Sequence, residues 1–134
     1  MKLAEKYLKI LLWLIAIHSL TVAFLLICLG ENGILYFGFP SGNKFFQVQG
    51  GVFHIVMSVA YVFAALNTGN SRLLIIFIIT AKFIATVYLL IYYFLFDPLI
   101  TILLSGIADG LMGLAVLLLW QKFSHELINK GADG

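Results

Sequence analysis

The chain has 134 residues, of which 63% are hydrophobic and only 10% charged, with a formal net charge of +2. An average soluble domain is about 25% charged, so together with a mean hydropathy of +1.09 the composition excludes an ordinary soluble domain and points to one multi-spanning membrane domain over 1–134. The net charge is too small for a nucleic-acid binder, and a single cysteine, Cys28, excludes an intrachain disulfide and any site built from several thiolates.

The first apolar run, 10–29, follows Lys2, Lys6 and Lys9. It exceeds the roughly 7–15 residues of a signal-peptide core, so it reads as a permanent span. His18, Thr21, Leu25 and Cys28 recur at helical spacing on one face. The segment 30–51 reads as a long outer loop, broken by glycines and ending in Gly50-Gly51. It carries Tyr36, Phe37, Phe39, Phe45 and Phe46, too many aromatics for a disordered segment. Two roles fit: an aromatic belt at the membrane surface, or a lid folded over the mouth of the bundle.

The second span, 52–66, is the shortest and sets His54, Ser58, Tyr61 and Ala65 on one face. A tight turn follows, with Ser71 as the candidate N-cap of the next helix. The third span, 73–96, has the polar stripe Lys82, Thr86, Leu89 and Tyr93, and Asp97-Pro98 breaks it. The fourth span, 99–120, aligns Thr101, Ser105, Asp109 and Met112. Beside that stripe, Gly106, Gly110 and Gly113 form a groove of the kind that lets helices pack closely. Trp120 marks an interface, and 121–134 reads as a polar tail with His125 on its surface.

These runs predict an all-α fold: an integral membrane antiparallel four-helix bundle. Lys2, Lys6, Lys9, Arg72, Lys122 and Lys130 fall on one side and only Lys44 on the other. The bias of basic residues toward the cytoplasmic side then predicts both termini in the cytoplasm and the long loop outside.

A lysine near the centre of a span costs about 2.5–3.5 kcal/mol on insertion scales and needs a partner. The only acid inside another apolar run is Asp109. Spans three and four are joined by a short corner, so they are antiparallel neighbours, and the offset between Lys82 and Asp109 is roughly 6 Å of helix rise, which a lysine stem can span. Counting rise from the outer ends places His18, Lys82 and Asp109 near the midplane as a deep polar layer. His54, Tyr93 and Thr101, with Cys28, fall in an outer layer under the loop. The pair reads either as a clamp between two helices or as a ligand or proton site. His18 and His54 differ by roughly 12 Å in depth on this count, which argues against a bis-histidine haem, and no cofactor is expected. The thiol and the carboxylates are too scattered for a metal site, and no phosphate loop, nucleophile elbow or zinc-protease motif is present, so no catalytic residue is assigned.

Four spans with a long first loop, the Gly51-Val52-Phe53-His54 start of span two with Tyr61 and Ala64-Ala65, Ala81-Lys82 in span three and Asp109-Gly110 in span four resemble the small bacterial membrane proteins grouped as DoxX-like. The resemblance covers most of the chain. Members of that group are often accessory subunits of membrane oxidoreductases or have no assigned role, so the resemblance implies an inner-membrane location and no particular reaction. Three functions are therefore in view: a non-enzymatic accessory subunit or binder of a small apolar ligand; an enzyme using proton transfer on a lipid or quinone-like substrate; and proton or ion translocation. The expected partners are membrane lipids and either a larger membrane complex or further copies of the chain, not nucleic acid.

The charge asymmetry sets a direct test of orientation. In a Cys28→Ser background, Lys44→Cys is expected to react with a membrane-impermeant maleimide added to intact cells. Reaction from the cytoplasmic side only would invert the topology.

Overall fold

A computed structural model describes residues 3–39 and 42–132. Lys2 and Pro40 lie outside the described residues, as does the side chain of Lys130. The described residues are all-helical: α1 Leu3–Cys28, α2 Glu31–Tyr36, α3 Lys44–Leu66, a 3₁₀ turn Thr68–Asn70, α4 Arg72–Leu95 and α5 Ile100–Ala132. Four of these, α1, α3, α4 and α5, are long and apolar enough to cross a membrane.

The start of α3 lies eight residues earlier than the second apolar run suggests. Asn43 caps it, its side chain accepting a hydrogen bond from the Phe45 N–H at 2.9 Å. Gly50 and Gly51 are not a loop break. They lie inside α3, where it meets α1. A Cβ on Gly51 would stand 2.6 Å from Ile27 Cγ1 and 3.1 Å from the Ala23 carbonyl oxygen. The absent side chain is what lets the two backbones approach. Just above, the Gln47 amide donates to the Leu26 and Leu29 carbonyl oxygens at 2.6 and 3.1 Å. It satisfies groups that the end of α1 leaves without intrahelical partners.

The connection between α1 and α3 is correspondingly shorter than expected and contains the six-residue α2. After α2 the chain reverses at Gly38, whose φ of 87° is accessible to glycine at little cost. Thr101, at the start of α5, donates to the Phe37 carbonyl oxygen at 2.8 Å. The loop thus runs from the end of α1 across to α5. Its aromatic rings are not driven inward: Tyr36, Phe45 and Phe46 stay exposed, the last two as an edge-to-face pair.

Two further expectations are corrected. Ser71 does not cap α4 with its side chain; its hydroxyl donates back to the Asn67 carbonyl oxygen at 2.7 Å. The segment after Trp120 is not a detached tail. It continues α5, because Phe123 is buried in the core and packs against Trp120, with ring centroids 5.8 Å apart.

The long helices are organised as two pairs. α1 packs along α3, and α4 along α5; the pairs meet chiefly through α1 and α5 and to a lesser extent through α3 and α4. The apolar core lies wholly in the half of the bundle that carries the termini. It is built from Leu8, Leu12 and Ile15 of α1, Met57, Ala64 and Ala65 of α3, Ile75 and Ile78 of α4, and Val116 and Phe123 of α5. In the half that carries the loop, the buried residues are Ser19, Ala23 and Gly51, between α1 and α3, and Ile102 and Gly106 of α5. Past Lys82, α4 buries no residue at all. Each pair is closely packed along its length, and the buried apolar residues that join the two pairs lie in the terminal half.

The close approach at Gly51 gives a stability test. Gly51→Val is expected to lower the stability of the solubilised protein by about 1–3 kcal/mol, the usual penalty for overpacking. Gly69→Ala, whose Cβ would meet nothing within 4 Å, should leave it unchanged. Thermal unfolding in mild detergent reads both.

Candidate functional site

Lys82 sits ten residues into α4, one turn past the last buried aliphatic residue of that helix, Ile78. Asp109 sits nine residues into α5. The short corner at Asp97-Pro98 makes the helices antiparallel, and the glycine groove of α5 lets α4 lie close against it. A Cβ on Gly106 would touch Leu89, one on Gly110 would touch Thr86, and one on Gly113 would be 3.0 Å from Lys82 Cβ. At that spacing the Lys82 ammonium forms an ion pair with Oδ1 of Asp109. The side chains are 7% and 19% exposed, so the lysine is nearly enclosed and the carboxylate less so.

The second pair contributes the opposite wall. Tyr61 of α3 lies under the lysine, with Nζ 5.6 Å from the ring centroid. That is within the range where a cation is drawn to an aromatic face. Two turns further along the same face of α3 stands His54. Ser19 of α1 holds it: Ser19 Oγ is 3.1 Å from His54 Nδ1 and donates to the His54 carbonyl oxygen at 3.0 Å. One polar level therefore caps the apolar core, with Ser19, His54 and Tyr61 from one helix pair and Lys82 and Asp109 from the other.

This level differs from the two layers expected from the sequence. His54 leaves the outer layer, because α3 begins at Lys44 and His54 is then ten residues along it, roughly 15 Å of rise. Its bond to Ser19 puts it beside the level of His18, so the depth offset between the two histidines, which argued against pairing them, does not hold. His18 itself does not join the ion pair. The buried face of α1 is Ala4, Leu8, Leu12, Ile15, Ala16, Ser19 and Ala23. His18 is one position off that face and is exposed, as are Thr21 and Cys28. Tyr93 and Thr101 also do not meet His54: the ring of Tyr93 stacks edge-on against Phe94 with centroids 5.1 Å apart, and Thr101 is bonded to Phe37. Among the described residues no group of three or more His, Cys, Asp or Glu side chains is placed to hold a metal ion.

Ser19 is the member of this level that sequence reading overlooks. A serine in an apolar run is a weak signal. The spacing of Leu8, Leu12, Ile15 and Ser19 could have found it, since it marks the inward face that His18 does not share.

What the level offers chemically follows from its unused bonding capacity. Among the described residues, Asp109 Oδ2, His54 Nε2 and the Tyr61 hydroxyl make no hydrogen bond. No buried side-chain nitrogen or oxygen is without a partner, so these three atoms are not sealed in the packing. The site holds one fixed cation and three reachable polar atoms above an apolar floor.

Single and double substitutions weigh the pair. Removing one partner of a buried ion pair costs about 3–5 kcal/mol in soluble proteins, because the other charge is left uncompensated. Lys82→Met and Asp109→Leu are each expected to destabilise the protein on that scale, and the double variant to recover most of the loss. Denaturation of purified protein in detergent reads the cycle; a harmless Asp109→Leu would show that the pair holds nothing together.

No protein-family model matches the chain, and neither the curated proteins nor the solved structures contain a match to it.

Proposed function

We propose that the chain is a multi-pass protein of a bacterial inner membrane, with both termini in the cytoplasm, that binds a small apolar ligand through the polar level at Lys82, Asp109, His54 and Tyr61. It acts as a non-enzymatic binding or accessory subunit, in keeping with its resemblance to DoxX-like proteins. The observation that carries this reading is the set of reachable polar atoms lying at the edge of the buried apolar core, beyond which α4 buries no residue. A structural clamp needs its polar groups paired and enclosed. Here the ion pair is enclosed on the lysine side only, and its neighbours keep unused donors and acceptors.

One-sided access supports binding over passage. The terminal half is filled by fully buried Leu8, Leu12, Ile15, Ile75, Ile78 and Val116. A proton or ion path would need polar groups through that layer, and the core there is aliphatic. Catalysis by proton transfer to a lipid or quinone-like substrate is the second reading, and it uses the same carboxylate. Ser19 is no nucleophile for it, being 2% exposed and held between α1 and α3.

The test is what travels with the protein. After gentle solubilisation, native mass spectrometry is expected to find the wild type carrying an amphiphile that the Lys82→Met/Asp109→Leu double variant, folded to similar stability, has lost. Equal ligand content in the two, or none in either, would remove the reading.

A further inference from the structure

The Ser19–His54 contact fixes more than the position of the ring. Ser19 Oγ is within hydrogen-bond distance of two atoms, the His54 carbonyl oxygen at 3.0 Å and His54 Nδ1 at 3.1 Å. A serine hydroxyl has one proton to give. The carbonyl oxygen can only accept, and two oxygens at that separation with no hydrogen between them would repel, so the proton goes to the carbonyl. Ser19 is almost wholly buried, so no solvent competes for it. The contact to Nδ1 is then completed by a hydrogen on Nδ1, donated to the serine oxygen. A neutral imidazole protonated on Nδ1 carries a lone pair on Nε2.

That lone pair has no partner among the described residues and is not sealed in the packing. His54 shares a helix face with Ser58 and Tyr61, both buried in the bundle, which puts it on the side of α3 that carries the tyrosine beneath Lys82. The carboxylate there presents its own unused oxygen, and Tyr61 presents a hydroxyl. The level therefore holds two acceptors, His54 Nε2 and Asp109 Oδ2, and one donor, the Tyr61 hydroxyl. Such a set recognises a hydroxyl: its proton goes to an acceptor, and its oxygen accepts from tyrosine.

We infer that His54 Nε2 is the hydrogen-bond acceptor for the hydroxyl of an apolar alcohol or phenol, and that Ser19 is the positioning residue that holds the imidazole in the Nδ1–H form. The inference rests on the ligand-binding reading above and adds the chemical class of the ligand. Asp109 Oδ2 is the second acceptor within the same level, and the apolar part of the ligand lies between the pairs in the loop half.

The test is nitrogen NMR of the full chain, labelled with ¹⁵N-histidine in lipid nanodiscs, the His54 signals being those lost in His54→Gln. The expected result is a proton on Nδ1 and a pyridine-type Nε2. Titrating 4-nonylphenol should shift Nε2, whereas its methyl ether, 4-nonylanisole, should not. Ser19→Ala should mix the two tautomers and weaken the phenol response, and Ser19→Thr, which keeps the hydroxyl, should restore both. A proton on Nε2, alone or together with Nδ1, overturns the acceptor role while leaving any co-purified amphiphile to stand on its own measurement. Equal shifts from phenol and ether, or no shift from either, overturn hydroxyl recognition.

Discussion

The interaction on which the rest depends is the ion pair between Lys82 and Asp109. A lone ammonium in an apolar helix is costly, and an ion pair away from water is worth having only if its geometry is good and the remaining valences are met. Here the geometry comes from glycine. Gly106, Gly110 and Gly113 remove the side chains that would hold α4 away from α5, and the short corner at Asp97-Pro98 sets the register. Thr86 keeps its own hydroxyl occupied by donating to the Lys82 carbonyl oxygen at 2.8 Å, so it does not compete for the carboxylate. The ring of Tyr61 takes the underside of the cation. The lysine is thus satisfied from both helix pairs, while the carboxylate is engaged on one oxygen.

Much of this was legible in the sequence, for a physical reason. A lysine and an aspartate inside apolar runs are rare enough that each must be explained, and only one partner was on offer for each. The four long helices were legible because apolar runs of that length have few alternatives. Glycine was harder, because the same residue can end a helix or allow two helices to touch. Gly106, Gly110 and Gly113 recur at helical spacing and read as a groove. Gly50-Gly51 follow a loop rich in glycine and read as its end, although their place is inside α3 against Ile27 and Ala23. That one ambiguity displaced the start of α3 and, with it, the depth of His54.

The histidines show how far an error of register carries. Polarity alone made His18 the natural third member of the site. Yet a helix turns by about 100° per residue, so Ser19, the next residue, faces inward and His18 does not. A neutral polar residue with a buried carbonyl to bond can be more central than an ionisable neighbour. The loop had the opposite difficulty: its aromatic content fitted a surface belt and a lid alike, because rings such as Tyr36 and Phe45 suit an apolar surrounding as well as they suit a core. What reaches across the bundle is the backbone, through the Phe37 carbonyl and Thr101, and no sequence pattern announces such a contact.

The division into two helix pairs joins site and fold. Each pair is complete in itself: α1 and α3 close on Gly51 and the Ser19–His54 contact, α4 and α5 on the glycine groove and the ion pair. Neither pair alone holds the polar level, since Tyr61 and His54 belong to one and Lys82 and Asp109 to the other. How the two pairs sit against each other therefore shapes this level. Two features set it: the aliphatic core of the terminal half, which acts as the fulcrum, and the loop backbone tied to Thr101 at the opposite end. Close packing resists small changes of volume, so the fulcrum is stiff, while the loop tie is a single hydrogen bond and is not.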